Sequence, residues 1–454
     1  MEALTRVYND HPKTLLFTSA AVIRILLAIA WPALPDLLTS RVEISTAVNS
    51  FKRLQEGLFL YDHGLDPYDG GIFHQAPLFL PLFSLLPSPQ ESIGRLISVL
   101  LYTALDLFSA ELLCQIADSG AATQSTSYTS PRRQRTWRSI SVVAIYLFNP
   151  YTLLTCLGRP TTIFTTFFVL LSISHACQAR MATSAFALAV ASYISLHPAF
   201  LLPPIGVLCY DRVCLQRISS SSQNAKPTTS KANVTIDQHR FPSALQFAFS
   251  MLTTYASTTA LLLALSRLLL PSWTFIPSVY LTPLQLPDLT PNTGLWWYFF
   301  TEMFEPFRNF FLGVFWLHMF SYSIPLSLRL RKQPLASVVL MWGICCVLEP
   351  YAHIGAVGGA GSLLCCVGHV FELSTAHRYT FPALAALLYC TLLGPAFHHL
   401  WIYAGSGNAN FFYAITLVWN LGLFILLTDT LYAVLRDEWE CERPEGKGKD
   451  VRQI

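Results

Sequence analysis

At 454 residues, with 53% hydrophobic and 12% charged side chains, the chain carries roughly half the ~25% charge of a soluble domain. A net charge of +3 is too small for a nucleic-acid partner, and a mean hydropathy of +0.45 leaves too little charge to solvate a folded surface. Helices that face lipid need almost no charge, so the composition predicts an all-α, polytopic transmembrane bundle.

Apolar runs recur along the chain, at 15–31, 93–117, 138–157, 160–177, 183–209, 244–271, 296–326, 334–348, 379–403 and 411–435, with shorter ones at 76–87 and 352–373. A membrane helix needs about 20 apolar residues, so about eleven to thirteen spans are expected. Lys13 and Ala28-Ile29-Ala30 give the first run some likeness to a cleaved signal, but Arg24 in its middle favours a retained span. The run between Pro77 and Pro87 predicts a re-entrant or packed half-helix. Most of the eleven cysteines lie inside apolar runs without zinc spacing, so they read as buried thiols, and neither metal nor cofactor is expected.

Basic residues gather in alternate connections: Arg132, Arg133, Arg135 and Arg138; Arg212 through Arg240; Arg329, Arg331 and Lys332; and the tail beyond Arg436. By the positive-inside rule these face the cytosol, as do both termini. The membrane domain is expected to span 1–436, with a charged cytosolic tail at 437–454 whose removal beyond Arg436 should be mild. The luminal side receives 32–92 (with short helices), 272–295, part of 349–378 and 404–410. Residues 118–137 and 214–242, rich in Ser, Thr, Gln and basic residues, read as disordered cytosolic linkers, which would leave the sequon Asn233-Val234-Thr235 unused.

Four groups of residues have the chemistry of a site. In the first luminal loop, Glu43 stands alone beside Arg41, which makes a poor base and a poor metal ligand; Asp66 and Asp69 flank a Pro-Tyr turn that needs such residues anyway. Asp288 and Asn292 lie in a proline-rich loop that leads into Trp296 and Trp297, suited to a headgroup layer. Glu302 and Glu305, three apart, are expected on one helical face near Arg308, either as an acid/base pair or as a wet interfacial face. Finally, Trp401, Tyr403, Asn408, Asn410, Phe411 and Tyr413 surround a Gly-Ser-Asn turn. They read equally as a capped helix hairpin or as neutral amides and aromatic faces for sugar hydroxyls and a lipid headgroup. Within the spans, Arg24, Asp106, Glu111, Arg267 and Asp429 need partners, and Arg24 is expected to pair with Asp106 or Glu111.

The long loop after the first span, with Pro67-Tyr68 leading to Pro77-Leu78, resembles the multi-spanning glycosyltransferases of the GT-C type that use dolichol-linked sugars, though without their acidic pair. A closer resemblance is carried by Ser272-Trp273, Phe275-Ile276-Pro277, Pro287-Asp288-Leu289-Thr290-Pro291-Asn292, Trp297-Tyr298-Phe299-Phe300, and the block from His399 through Asn408, Asn410, Phe411-Phe412-Tyr413 to Leu417. Together with Arg41-Val42-Glu43, Lys52-Arg53, Phe73-His74 and Phe148-Asn149-Pro150-Tyr151, collinear from 41 to 436, these are similar to the class U subunit of the GPI transamidase. The stretch after Glu349-Pro350-Tyr351 departs from that family, being Gly-rich to Gly361.

The resemblance implies a non-catalytic, multi-pass subunit of the endoplasmic reticulum complex that attaches GPI to precursor proteins. Its partners would be a cysteine-protease-like catalytic subunit, the remaining membrane subunits and the GPI lipid. Under that reading the residues for lipid contact are Asn408, Asn410, Trp401, Tyr403, Phe411, Tyr413, Asp288, Asn292, Trp296, Trp297, Glu302 and Glu305. The competing readings are a dolichol-phosphate-sugar mannosyltransferase, which requires a catalytic acidic pair, and a secondary transporter, which requires an internal repeat not found here.

Overall fold

The computed structural model describes residues 12–88, 91–224 and 243–449, which are helical apart from the turns that join the helices. Helix α1 (Pro12–Ala30) is the first apolar span. The long connection after it holds three short helices, α2 (Leu34–Thr39), α3 (Phe51–Asp62) and α4 (Phe79–Ser84), before α5 (Ser92–Asp118). The short helix α4 is the packed half-helix expected from its prolines: Phe79 and Phe83 stand edge-on to Phe164, at 5.2 and 5.9 Å.

Prolines explain where the remaining runs bend. Helices α6 (Ser139–Phe148) and α7 (Pro150–Gly158) form one run bent by 53°. Pro150 holds Asn149 in an extended conformation, and the Asn149 side chain then caps α7 by accepting the Tyr151 N–H at 3.0 Å. Helices α8 (Thr162–Cys177) and α9 (Met181–Ile194) lie as a tight hairpin, with Ser172 and Ser184 each donating to the other's carbonyl at 2.9 Å.

Two runs expected to be continuous are broken. The run 183–209 divides at a 3-10 turn, His197–Leu201, around Pro198, and resumes as α10 (Leu202–Asn224), followed by α11 (Ala244–Leu269). The run 296–326 divides into α12 (Trp296–Glu302) and α13 (Glu305–Arg329), because Met303 and Phe304 turn extended ahead of Pro306.

The core pillar is α14 (Pro334–Leu348), in which every residue but Ile344 is buried. After a bend at 349–353 come α15 (Ile354–Leu364), α16 (Thr380–Ile402) and α17 (Ala409–Glu442). The Gly-rich stretch that departs from the family pattern is the tightly packed α15: a Cβ at Gly355 would lie 2.7 Å from Thr155 Cγ2, and one at Gly358 2.9 Å from Thr152 Cγ2. Among the described residues, eight helices are long and apolar enough to cross a membrane, nine if α6 and α7 act as one, while α8, α9 and α14 are apolar but shorter. If those three shorter helices also cross, the described residues make eleven or twelve crossings, against the expected eleven to thirteen.

The segment 118–137 is not a disordered linker. Ala121, Ala122, Thr123, Ser125, Tyr128 and Ser130 are buried, and Thr126 donates its N–H and hydroxyl to Asp211 at 2.8 and 2.7 Å. Its Arg132 is matched by the far end of α17, which runs on beyond its apolar part, and its Arg135 by Glu372. Arg132 pairs with Asp437 at 2.6 Å and Glu440 at 2.5 Å, Arg329 and Lys332 with Glu438 at 3.1 and 3.2 Å, and Arg436 with Glu440 at 2.8 Å. Asp437 is fully buried and also accepts the Ser130 hydroxyl at 2.6 Å. Composition alone suggested disorder because the compensating acids lie some three hundred positions away. Of the segment 214–242, the helical part reaches Asn224; the sequon at Asn233 lies outside the described residues.

The described cations Arg132, Arg329, Lys332 and Arg436 therefore gather at the Glu442 end of α17, while the 403–408 turn lies at its opposite, Ala409 end, and hydrogen bonds join the loops around Glu43, Asp288 and Asn292 to the bend at 349–353. Inside the bundle, Arg24 is fully buried and pairs with Asp106 at 2.5 Å, while Glu111 instead takes Lys13 at 2.7 Å. Arg24 also donates to the Leu147 carbonyl at 2.9 Å, and Asp106 accepts the Tyr146 hydroxyl at 2.7 Å, so one ionic knot ties α1, α5 and α6.

Two outcomes are expected. Truncation after Arg436, which the sequence alone rated mild, removes six acids, among them the Asp437, Glu438, Glu440 and Glu442 that pair with Arg132 and Lys332; breaking one such buried pair costs about 3–5 kcal/mol. The truncated chain should lose most of its detergent-extractable folded fraction by fluorescence size-exclusion chromatography, and a wild-type profile would refute the ionic clamp. Arg24→Leu should lower the thermal unfolding midpoint sharply, and Arg24→Leu with Asp106→Leu should regain most of the loss, because no buried charge is then left unpaired. A double variant as unstable as the single one would contradict the pairing.

Candidate functional site

The site begins with the hairpin between α16 and α17. Gly405 takes a left-handed conformation (φ 62°), the N–H groups of Ser406 and Gly407 donate to the Leu400 carbonyl at 3.0 and 3.1 Å, and the Asn408 side chain caps α17 by accepting the Phe411 N–H at 3.3 Å. Asn408 thus performs the hairpin role, while Asn410, two residues on, accepts the Tyr298 hydroxyl and joins α17 to α12.

That bond brings two aromatic groups together. Trp297 stacks on Trp401 with centroids 6.1 Å apart and 21° between planes, meets Tyr413 edge-on at 5.7 Å, and lies 5.9 Å from Phe412. Tyr298 covers Tyr413 at 4.6 Å, and the Tyr413 hydroxyl donates to the Leu295 carbonyl at 3.0 Å. Tyr403 and Phe411 remain exposed at the edge, Phe411 stacked on Phe397 at 5.8 Å. Trp297 and Phe412 are themselves buried and back this assembly, so the faces left open at the rim, at the end of α17 remote from the basic connections, are those of Tyr298, Trp401, Tyr403, Phe411 and Tyr413.

Beneath the rim is an apolar cavity of about 160 Å³, walled by Tyr151, Pro395, Phe412, Ile415, Thr416 and Trp419. Gly394 and Pro395 leave one wall of α16 without bulk, and Pro150, by bending the α6–α7 run, turns Tyr151 towards it. The charged groups that line it are Arg41 and Glu43, bonded to each other at 3.0 and 3.2 Å. Glu43 is further fixed by its carbonyl, which accepts the Ile354 N–H at 2.9 Å. The cavity therefore has a dry interior with a neutralised ion pair at its edge, an arrangement suited to an acyl chain or other apolar body beneath a polar head.

Other residues singled out in the sequence have different work. Asn292 is buried, accepts the Gly294 N–H at 2.7 Å and donates to the Pro350 carbonyl at 3.3 Å. Trp296 is fully buried, and its indole donates to the Leu348 carbonyl at 2.8 Å. Both are turned inward and offer no surface at the rim. Asp288 binds Arg53 at 2.8 Å and the Thr290 hydroxyl. Burial works against its charge, but the bonds from Thr290 and Arg53 outweigh it and hold the carboxyl below its ordinary range. These three residues fasten the loop 286–296 to the bend after α14.

Glu302 and Glu305 do not share a helical face, because the chain breaks at Met303 and Phe304 between them. Nor does Arg308 neutralise either: it donates to the Leu286 carbonyl at 2.6 Å and lies over the Phe300 ring. Asp66 accepts the Tyr68 N–H at 3.0 Å and the Thr274 hydroxyl at 2.9 Å, as its turn requires. Sequence reasoning missed the cavity's Tyr151, Thr416 and Trp419, which look like ordinary span residues. It also passed over Glu349, an acid directly after a wholly apolar helix, which is the signal for a buried intramembrane charge.

The sequence model of the family described as "GPI transamidase subunit PIG-U" matches residues 18–419. The chain is 33% identical over 437 residues to the human protein named GPI-anchor transamidase component PIGU, covering 94% of each. It is 32% identical over 435 residues to the Saccharomyces cerevisiae protein named GPI transamidase component GAB1, covering 95% of this chain and 96% of that one. A Schizosaccharomyces pombe homologue of the latter is 30% identical over 429 residues, with 94% coverage of each. On these matches, which take in the rim, the cavity and the helices that build them, the chain belongs to the GPI transamidase subunit PIG-U family.

Proposed function

We propose that the chain is a non-catalytic, multi-pass subunit of a GPI transamidase in the endoplasmic reticulum membrane, and that its rim and apolar cavity receive the GPI lipid. The observation that carries this reading is the pairing of an apolar cavity of about 160 Å³ with an aromatic rim of Tyr298, Trp401, Tyr403, Phe411 and Tyr413 backed by the buried Trp297. The cavity suits the lipid body, and the rim suits the glycan next to it. Asn408, Asn410, Tyr403, Phe411 and Tyr413 provide the polar and aromatic edge, and the positive-inside rule, applied to the basic end of the bundle, supports cytosolic termini. Acyl transfer falls to a partner subunit carrying the reactive cysteine, with the remaining membrane subunits arranged around this chain.

The mannosyltransferase reading needs two carboxylates free to act on an acceptor. Glu43 is held by Arg41, and Asp66 by the Tyr68 turn and Thr274, so neither acid is free to serve as a base.

Filling the cavity tests the lipid role. Gly394→Leu with Thr416→Leu should cut attachment of a GPI-anchored surface reporter about tenfold, equivalent to 1.4 kcal/mol, while the other transamidase subunits still co-purify with the tagged chain. Normal attachment with a filled cavity would refute lipid binding there. Glu43→Gln should lower attachment without accumulation of an under-mannosylated lipid, measured by thin-layer chromatography of labelled glycolipids. Accumulation of such a lipid would favour the glycosyltransferase.

A further inference from the structure

On the other side of the bend after α14 lies a second cavity of different character. It is about 50 Å³ and is lined by polar side chains, among them Asn49, Thr162, Thr165, His197, Glu349 and His353. His197, Pro283 and Trp316, all partly exposed, mark its mouth.

Glu349 dominates the chamber. Its side chain is 4% exposed, with Oε2 3.4 Å from His197 Nε2 and Oε1 3.8 Å from His353 Nε2. The longer separation exceeds a hydrogen bond, and Oε1 has no partner within the described chain. Asn49 Nδ2, Thr162 Oγ1 and Thr165 Oγ1 likewise lack one, although Asn49 and Thr165 are 2% and 6% exposed. Each buried polar group left so costs about 1–3 kcal/mol, and a cluster of them around one cavity calls for an occupant.

The chemistry of the walls selects that occupant. No Lys or Arg lines the chamber, so the acid has no cationic side chain beside it, and an anion would face only Glu349. The histidines do not form a metal site. His353 Nδ1 accepts the Ala356 N–H at 3.2 Å, which puts the ring proton on Nε2, the atom facing Glu349, and leaves no lone pair there for a metal. Among the described residues, no group of three His, Cys, Asp or Glu is placed to hold a metal ion. His74 donates from Nδ1 to the Ser278 carbonyl at 2.9 Å, so its Nε2 is an acceptor. Of the orphaned atoms, Glu349 Oε1 and the Thr162 and Thr165 hydroxyls can accept, while Asn49 Nδ2, like the His353 Nε2–H, can only donate. A primary ammonium, with one positive charge and three N–H donors, matches the carboxyl and the two hydroxyls; a quaternary ammonium has no donors and is too large.

We propose that this chamber is a binding site for a primary ammonium group, with Glu349 as its counter-charge and the Thr162 and Thr165 hydroxyls as further acceptors. The site is independent of the glycolipid reading above. The amine can belong to a phospholipid headgroup or to a soluble molecule, and one experiment separates the two.

The full chain, purified in mild detergent, is heated in methylammonium chloride and in sodium chloride of equal ionic strength. Methylammonium should raise the unfolding midpoint, with half-saturation on the order of 10 mM, the limit for a ligand of two heavy atoms. Tetramethylammonium should have no effect. Glu349→Gln, which keeps the volume, should abolish the response, and Thr165→Val should weaken it severalfold even if the first variant does not fold. In parallel, the chain is released from nanodiscs of phosphatidylethanolamine or phosphatidylcholine and weighed by native mass spectrometry. Retention of phosphatidylethanolamine by the wild type but not by the variants assigns the amine to a lipid; a methylammonium response alone assigns it to a soluble amine. Identical responses in wild type and variants, or no response with no retained lipid, would mean water only and would overturn the proposal.

Discussion

A broken helix in a membrane must give its free backbone groups to other parts of the chain, because hydrocarbon offers them nothing. Pro350 imposes that condition on this bundle. The pillar helix stops at Leu348, the chain turns, and α15 starts at Ile354. The Leu348 carbonyl takes the Trp296 indole, the Pro350 carbonyl takes Asn292, the Ile354 N–H goes to the Glu43 carbonyl, and the Tyr351 hydroxyl reaches the Asp288 carbonyl. Two loops distant in sequence, 40–50 and 286–296, are thereby fastened to one bend. The apolar cavity lies on one side of it and the polar chamber on the other.

The same rule, that nothing polar is left unpaired, governs the charged groups. Arg24 and Asp106 satisfy each other inside the bundle, and the acids at the end of α17 satisfy the cations of two separate connections at the basic end. Neither arrangement is a surface ornament, since the side chains of Arg24 and Asp437 are fully buried. These pairs fix which helices are neighbours, and apolar packing then fills the space between them. The proposed lipid site inherits its rigidity from this frame: α16 and α17 that carry it are anchored at one end by the ionic clamp and joined at the other by the capped hairpin.

Much of the architecture was legible in the sequence. Charge-poor apolar runs identified the helical bundle, and the grouping of basic connections identified which turns share an end. Legibility failed where a distant partner decides the outcome. The stretch 118–137 looked unable to order itself, and alone it would be; Asp437 and Glu440 order it. Glu302 and Glu305 looked paired because spacing assumes an unbroken helix, which the extended Met303 and Phe304 interrupt. Asn292 and Trp296 were recognisable as important, but the sequence could not distinguish fastening a loop from facing a ligand. The small, aromatic and hydroxyl residues around the apolar cavity carried no distinguishing signal, because each is ordinary for a membrane helix.

Family membership makes the chain a GPI transamidase component, and the account proposed for it is a membrane subunit whose remote end holds a glycolipid in place while a partner performs the acyl transfer. The most direct measurement is made in cells lacking their own PIG-U relative, supplied with this chain, by flow cytometry of a GPI-anchored surface reporter together with analysis of cellular glycolipids. The account expects the reporter to return to the surface and complete GPI lipid to stop accumulating. Abundant, membrane-inserted chain that leaves the reporter unanchored, with complete GPI lipid still accumulating, would contradict it.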